Sequence, residues 1–372
     1  MADNFSSIPV IDFTLSTSAE TKSQFLSELR DAVVRVGFFL LKNHNISEDS
    51  QRELRHHAVK FFAQSAEEKS KSDMTTNKHY LGYVGMKAVE SEDLTPDHRE
   101  LIVLGKDHPL AGPDDPIYYN LRGINPWPNE TKVPGFRPAV ENYMAEIACL
   151  ADRFKLLMAE ALDLEPNAFA RLFDEASTDR LMLAKYPEPS DPQASGDEGF
   201  FGINTHKDSS FLTFLLPGSG HSGLEVQNHS GEWVPAPPKP GHLIVNIGQQ
   251  LDALSKGVCK ATTHRVSLSA KTFQDENGNS LGDRYSFPYF QVIGLDQTPQ
   301  TAKVDIPPHI MDLVNDEKVK SDASAYFLTT FKDGIGHGVF VARALKYRDV
   351  TAKFYPGLLE LYDASREASK AR

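Results

Sequence analysis

The first part of the chain has apolar residues at helical spacing. A capping-box pattern at residues 17–20 opens a segment that ends at Gly37 and carries an apolar residue on each turn, at Phe25, Leu29, Ala32 and Val36. The apolar run 38–41 follows and predicts a buried strand. Two further amphipathic helices are expected, one around residues 54–62 and a longer one over about residues 138–162. The first half is therefore predicted to be mixed but mostly helical.

Between about residues 73 and 137 this periodicity is lost. The stretch is rich in Pro, Gly, Asp and Asn, which predicts a surface loop lying over another part of the molecule. Within it, His98, Arg99 and Glu100 have a ligand-like spacing, but the sequence offers them no matching third metal ligand. We interpret this triplet as a solvated surface group.

From about Arg180 onward the chain consists of short apolar runs of strand length. About seven or eight such runs alternate with turn-rich segments, at a spacing of roughly 8 to 12 residues. This spacing predicts a sandwich, a barrel or a jelly roll. After about Pro307 the pattern is helical again, and residues 345–369 are expected to dock on the outside of the β core. With no internal repeat and no long linker, one β core wrapped by helices is the simplest architecture.

Composition narrows the class of partner. The chain has 372 residues, 40% of them hydrophobic, and its 39 Lys and Arg against 51 Asp and Glu give a net charge of −12. Without a basic stripe, this balance disfavours nucleic acid and anionic membranes, so a small molecule is the expected partner. Cys149 and Cys259 form neither a disulfide framework nor a metal-type pair. No signal peptide or membrane span is indicated, and we expect a cytoplasmic protein; its oligomeric state is not indicated by the sequence.

His206 and Asp208 form the first candidate metal pair. Residues i and i+2 of a strand point to the same face, so both can bind one ion. The pair is weak support when taken alone, because thirteen histidines give about 0.8 His-x-Asp pairs by chance at average composition. A solvated pair at a strand end would explain it better.

The residues downstream change this interpretation. His264 opens another strand-like run, and two imidazoles with one carboxylate form the facial triad that suits Fe(II) and leaves open coordination positions. Arg284 and Ser286 again lie at i and i+2 of a strand and are able to clamp a carboxylate. Together these residues predict a site for a chelating dicarboxylate.

Ten segments distributed over nearly the whole chain carry a family resemblance. They are IPVIDF, VGFFLLKNH, FFAQSAEEKSK, YLGYVG, KYP, THKDSSFLTFLL, GLEVQ, PGHLIVNIG, THRVS and RYSFPYF. In these, the sequence resembles the 2-oxoglutarate/Fe(II)-dependent dioxygenase superfamily, in its isopenicillin N synthase-like branch. The resemblance implies an α+β fold with a double-stranded β-helix (jelly-roll) core wrapped by N-terminal and C-terminal helices. The expected regions are a mostly helical one over 1–175, the catalytic core over 176–305 and a helical one over 306–372.

The resemblance also assigns roles to residues. It implies that iron is bound by His206, Asp208 and His264. It further implies that Arg284 and Ser286 bind the distal carboxylate of 2-oxoglutarate.

Two further residues are expected at the same site. Tyr186 matches the tyrosine of the family's Asn-x-Tyr-Pro segment, which supports the co-substrate. Ala184 stands at the asparagine position, so one hydrogen bond to 2-oxoglutarate is missing or comes from elsewhere. Phe290 follows the Arg284–Ser286 pair at strand period and is expected to contact substrate, although filling the core is an equally good explanation.

The implied reaction is the oxidation of a small organic metabolite, expected to be a secondary metabolite. It requires Fe(II), 2-oxoglutarate and O2, with ascorbate as a supporting reductant, and yields succinate and CO2. Hydroxylation, desaturation and rearrangement are all compatible with the residues. Halogenation is disfavoured, because Asp208 takes the position that a halide occupies in related halogenases.

Three alternatives stay open from the sequence. An iron-dependent oxidase or cyclase of the same fold would not use 2-oxoglutarate and would let the Arg284–Ser286 pair meet another anion. A zinc hydrolase also accepts two imidazoles and a carboxylate, but there is no HExxH-type base motif and no role for the arginine. An inactive binding module would not need three intact ligands.

Overall fold

The computed structural model describes residues 4–86, 97–190, 200–314 and 331–363. Its strands form an eight-stranded sheet of order β1-β2-β10-β7-β12-β5-β4-β3 and a four-stranded sheet of order β6-β11-β8-β9. The strands are β1 Val10–Asp12, β2 Phe38–Lys42, β3 Gly82–Val84, β4 Glu100–Gly105, β5 Arg180–Tyr186, β6 Phe200–His206, β7 Leu212–Pro217, β8 Leu224–Gln227, β9 Trp233–Pro235, β10 His242–Ile247, β11 His264–Leu268 and β12 Arg284–Gln291.

Apart from the parallel pair β1 and β2, the strand pairs of the described residues are antiparallel. Side chains alternate between the two faces of the large sheet, as the period of two requires. On β5, Leu181 and Leu183 join the apolar cluster on the outer face, whereas Met182, Ala184 and Tyr186 join the cluster between the two sheets. The architecture is the predicted α+β jelly roll.

Helices cover the outer face and one open side of the two sheets. They are α1 Ala19–Arg35, α2 Glu48–Phe62, α3 Ala66–Ser70, α4 Phe136–Ala161, α5 Gln249–Leu254, α6 Pro308–Met311, α7 Ile335–Lys346 and α8 Arg348–Phe354. The ring of Phe154 on α4 lies 6.1 Å from that of Phe39 on β2 and 5.4 Å from that of Phe214 on β7, so α4 packs directly on the large sheet.

The predicted ends of the first helix are nearly right. Ser18 rather than Thr17 caps α1, since its side chain accepts from the Glu20 backbone N–H. Gly37 follows the helix with φ of +71°, and a Cβ there would lie 2.0 Å from the Lys260 carbonyl oxygen. Glycine is required at this position because the chain must both turn in the left-handed region and approach Lys260.

The prediction of loop for residues 73–137 is wrong in part. This stretch contributes β3 and β4 to the large sheet, and all six residues of β4 are buried. Two residues of the triplet that we interpreted as a solvated group are buried, since Arg99 is 9% and Glu100 6% exposed. The third, His98, is half-buried and packs its ring 4.7 Å from that of Phe200. The apolar run Leu101–Leu104 is long enough for a strand, but its flanking loop-type residues concealed it.

The C-terminal helices differ in part from the expectation that residues 345–369 dock on the outside of the β core. Residues 345–346 end α7, Tyr347 separates α7 from α8, and residues 364–369 lie outside the described part of the chain. Phe340 and Ala344 of α7 join the apolar cluster between the sheets, so the helix closes an open side of the jelly roll.

The proposed region boundaries at 175 and 305 stay predictions. Strands β1–β4 of the N-terminal region belong to the same sheet as β5 of the core region. No helix of the described residues has the length and apolarity to cross a membrane.

Candidate metal centre and co-substrate pocket

The paired strands β6 and β11 of the small sheet bring the predicted metal ligands together. His206 ends β6 and lies directly opposite His264, which begins β11, with their ring centroids 4.3 Å apart. Asp208 follows two residues after His206, and its Oδ1 lies 3.5 Å from His206 Nε2 and 3.7 Å from His264 Nε2. One nitrogen from each imidazole and one carboxylate oxygen thus face a common point within 4.8 Å of one another.

Backbone carbonyls orient both imidazoles. His206 Nδ1 lies 2.7 Å from the Asn204 carbonyl oxygen, and His264 Nδ1 lies 3.0 Å from the Thr262 carbonyl oxygen. A carbonyl accepts only, so each Nδ1 carries the proton and each Nε2 presents its lone pair to the common point. Burial lowers the pKa of His264, which further favours the neutral imidazole that binds metal.

The large sheet holds the third ligand in place. Asp208 Oδ2 accepts hydrogen bonds from Thr213 Oγ1 at 2.7 Å and from Asn246 Nδ2 at 2.8 Å. These two residues are register partners on β7 and β10, so one cross-strand pair supports the carboxylate. Both hydrogen bonds use Oδ2, and Oδ1 remains on the side that faces the two histidines. Burial alone would raise the pKa of Asp208, but the two facing imidazoles and the Asn246 amide hold it well below its usual range. The donor set suits an ion such as Fe(II).

Arg284 and Ser286 lie on β12 of the large sheet, opposite Tyr186 and Ala184 of β5. Arg284 Nε donates to the Ser222 carbonyl at 3.1 Å, and the guanidinium carbon lies 4.6 Å from the centre of the Tyr186 ring. Its Nη1 is buried and has no hydrogen-bond partner among the described residues. A buried cationic N–H of this kind is costly unless an anion binds it, so the pocket fits a carboxylate.

A single cavity joins the site residues predicted from the sequence. It is lined by His206, Asp208, His264, Arg284, Ser286, Tyr186 and Phe290. Register places Phe290 beside Thr213, whose hydroxyl bonds Asp208, whereas Arg284 lies at the other end of β12. A jelly roll that brings two imidazoles, one carboxylate and a buried, unpaired guanidinium N–H into one cavity is typical of the class of non-haem iron oxygenases.

Five polar residues of this region were missed by sequence reasoning. Thr213 and Asn246 support Asp208, and their signal was a polar residue inside an otherwise apolar strand. Arg99, Arg343 and Lys346 also line the cavity, although each lies far along the chain from the ligand motifs. Nothing local in the sequence marks them.

Comparison with known proteins specifies the family. The N-terminal family of the non-haem dioxygenase in morphine synthesis matches residues 8–130, and the 2OG-Fe(II) oxygenase superfamily matches residues 178–292. A 2-oxoglutarate-dependent dioxygenase of Gibberella zeae is 41% identical over 370 residues, covering 100% of this chain and 97% of that protein. The 2-oxoglutarate-dependent dioxygenase frbJ of Dothideomycetidae sp. is 36% identical and covers 96% of this chain and 94% of that protein.

A solved structure agrees on the fold. A full-length Neurospora crassa protein, crystallised in complex with alpha-KG, superposes with a TM-score of 0.71 at 24% identity, over 91% of this chain and 96% of that one. The chain belongs to the 2OG-Fe(II) oxygenase superfamily. It is a non-haem iron dioxygenase that uses Fe(II), 2-oxoglutarate and O2, as the resemblance implied, and the comparisons support this over the oxidase that dispenses with 2-oxoglutarate.

Proposed function

We propose that the enzyme oxidises a small organic metabolite of secondary metabolism, with Fe(II) bound by His206, Asp208 and His264. The observation that carries the co-substrate assignment is the unpaired, buried Nη1 of Arg284 in the same cavity as the three ligands. Bound iron, with 2-oxoglutarate and O2, supplies the oxidising chemistry, and succinate and CO2 are the co-products.

The chain's own residues would position the reactants. Arg284 donates charge-assisted hydrogen bonds to the distal carboxylate of 2-oxoglutarate, and the Ser286 hydroxyl donates a further one. Tyr186 lies under the guanidinium, where it restricts the orientation of Arg284 through a cation–π contact. Its contribution to the co-substrate is therefore proposed to be indirect. Ala184, which faces Ser286, offers no side-chain amide.

Phe290 is proposed as part of the substrate wall. It lies beside Thr213 on the neighbouring strand, near the carboxylate of Asp208. An aromatic ring there would hold an apolar part of the substrate against the metal and keep water away from it.

The proteins similar to this chain support a small-molecule substrate without selecting one. The Neurospora crassa protein has also been solved in complex with alpha-KG and thymine, and a relative from Glycine max is a homoarginine-6-hydroxylase, 32% identical over 281 residues. Hydroxylation is therefore the first reaction to test, with desaturation and rearrangement next. We place the enzyme in the cytoplasm, in keeping with the two free cysteines, Cys149 and Cys259.

Coupled turnover tests this function. The purified protein is supplied with Fe(II), ascorbate and O2, and both 2-oxoglutarate loss and succinate formation are measured with fungal metabolite extracts as substrate source. We expect one succinate for each oxidised product. Product without succinate would contradict the co-substrate role, and turnover under anaerobic conditions with zinc would contradict the iron chemistry.

A further inference from the structure

The cavity has a charge that differs from the charge of the whole protein. Among the described residues that line it, five side chains are basic and one is acidic, the metal ligand Asp208; the basic ones are Arg99, Lys207, Arg284, Arg343 and Lys346. The chain as a whole carries −12. Fe(II) and 2-oxoglutarate carry opposite charges of equal size, so their binding leaves the excess positive charge of the lining unchanged. A further anion would offset part of it.

Arg99, the residue just before β4, contributes to this excess positive charge. The register of β4 with β5 pairs Glu100 with Lys185 and so carries Arg99 to the level of Tyr186. One guanidinium nitrogen, Nη2, donates to Asp97 Oδ2 at 2.8 Å. The Nε atom is buried and has no hydrogen-bond partner among the described residues. Like Arg284, this arginine keeps a buried N–H in need of an acceptor.

Helix α7 contributes two more cations. Arg343 and Lys346 lie three residues apart, on one face of the helix, and both line the cavity. Among the described residues neither of them forms an ion pair, whereas Arg348 on the next helix pairs with Asp363. Burial would raise the pKa of the neighbouring Tyr347, yet Lys346, Arg343 and Arg99 together lower it. The three cations line the same cavity, and we call Arg99, Arg343 and Lys346 the cationic end of the cavity.

An apolar wall forms part of the cavity lining. In the large sheet, β12 and β5 lie between β7, which supports Asp208 through Thr213, and β4. The side chains that these two intervening strands present to the cavity include Met182 and Phe290, with Val292 just beyond β12. A molecule that spans from the metal to the cationic end would therefore rest an apolar body on this wall.

We propose that the substrate is an organic acid, whose apolar body lies against Met182 and Phe290 and whose carboxylate is bound by the cationic end. This proposal rests on the function proposed above and names its substrate class. Guanidinium groups suit the choice, because their planar donors match a carboxylate and lose little freedom on binding it. The carbon to be oxidised is then the one that the wall holds nearest His206 and Asp208.

The test measures binding rather than turnover. The protein is loaded with Ni(II), which the same donors accept, and saturated with 2-oxoglutarate, so that the Arg284 site is filled before a probe is added. The probes are phenylalkanoates from phenylacetate to 5-phenylpentanoate, each with its primary amide and with a phenylalkyl phosphate of matched length. Isothermal titration calorimetry should find, for at least one length, an acid about tenfold or more tighter than its amide.

Two variants test whether Arg343 binds the carboxylate of the probe. Arg343→Gln should bring the acid to within about threefold of its amide while leaving the amide's affinity unchanged, since the lost contact is specific to the charge. Arg348→Gln makes the same chemical change nearby, at a residue that pairs with Asp363 at 2.7 Å outside the cavity lining, and should bind the acid like the wild type.

Several outcomes would overturn the proposal. The proposal fails if no acid binds more tightly than its amide. It also fails if Arg343→Gln weakens the binding of an acid and of its amide equally. A phosphate tighter than every carboxylate of matched length would refute the carboxylate assignment. If the Ni(II) protein fails to bind 2-oxoglutarate before any probe is added, the result counts against the function proposed above instead.

Discussion

The two ends of the cavity are built from different parts of the fold and differ in how their polar groups are paired. At the metal end, around His206, Asp208 and His264, paired strands supply the two imidazoles and Asp208 follows just after β6. Each of these proposed ligands has a hydrogen bond that orients it. At the cationic end, Arg99 comes from the residue before β4 and the other two cations come from α7. Arg99 has a buried donor without an acceptor among the described residues.

This difference indicates which part of the site is set before ligands arrive. Strand register positions the two imidazoles of the metal end, because the paired strands place His206 opposite His264. At the cationic end, Asp97 pairs with Nη2 of Arg99, and the buried Nε of Arg99 would gain an acceptor only from a ligand. Substitutions at the metal end should therefore affect every turnover, whereas those at the cationic end should affect only the choice of substrate.

The largest effect is expected for Asp208→Ala. The change removes a metal ligand and leaves the Thr213 and Asn246 donors facing an unfilled position. We expect no succinate formation above background, with the far-ultraviolet circular dichroism unchanged. Asp305→Ala is the matched control, since its side chain is 80% exposed and remote from the ligands, and it should behave like the wild type. Substantial turnover by Asp208→Ala would refute the ligand assignment.

Arg284→Gln should have the next largest effect, on 2-oxoglutarate. Hydrogen bonds to a charged group contribute about 1.5–3 kcal/mol, so the KM for 2-oxoglutarate should rise about 10- to 100-fold. Arg284→Lys keeps the charge but loses the planar donors and should recover part of the loss. The measurement is succinate formed as a function of 2-oxoglutarate concentration. An unchanged KM in Arg284→Gln would exclude the clamp and favour an oxidase.

A smaller effect is expected behind the metal ligands, for Asn246→Leu. This change removes the 2.8 Å hydrogen bond to Asp208 without touching the metal position. Loss of such a supporting contact lowers metal affinity about 10- to 100-fold. Iron binding by equilibrium dialysis should detect it, with Asn277→Leu in an exposed turn as the control. Equal iron affinity in the two variants would show that β10 does not tune the site.

Sequence patterns predicted the metal end better than the cationic end, for a physical reason. His206 with Asp208, and Arg284 with Ser286, are local pairs whose common direction follows from the period of two in a strand. Assembly of the cationic end depends instead on which strand lies beside β5 and on where α7 packs. Those contacts are long-range, so Arg99 was wrongly interpreted as solvated.

The fold shows the same division. The jelly-roll class was predicted correctly, and α1, β2 and α4, which have strong periodicity, were predicted close to their observed bounds. Strand β4 was missed although Leu101–Leu104 are buried. The residues on both sides of this short apolar run have a loop-type composition, and the whole stretch was therefore predicted as a loop. Thr213 and Asn246 show that a polar residue inside a buried strand calls for a functional explanation in its own right.

Asp252 lies on α5, near the metal end, but its carboxylate is not as fully paired as that of Asp208. Its substitution should have the smallest of the effects considered. Its Oδ2 accepts from the Ala261 backbone N–H at 3.2 Å, but its buried Oδ1 has no hydrogen-bond partner among the described residues. Burial raises its pKa from the usual 3.8 to about 6. The folded protein then holds this proton more tightly than the unfolded chain, so the contribution of Asp252 to stability falls as pH rises from about 4 to 6.

Asp252→Asn removes that titration and should stabilise the protein at pH 8 but not at pH 4. A shift of about two pKa units sets an upper limit of about 3 kcal/mol, and we expect about 1–2 kcal/mol because local relaxation reduces the cost of the charge. The free energy of unfolding by urea at the two pH values measures the difference. Equal stabilisation at both pH values would mean that the amide acts through packing rather than through the removal of a charge. The buried, unpaired carboxylate of Asp252 would then cost the protein no stability.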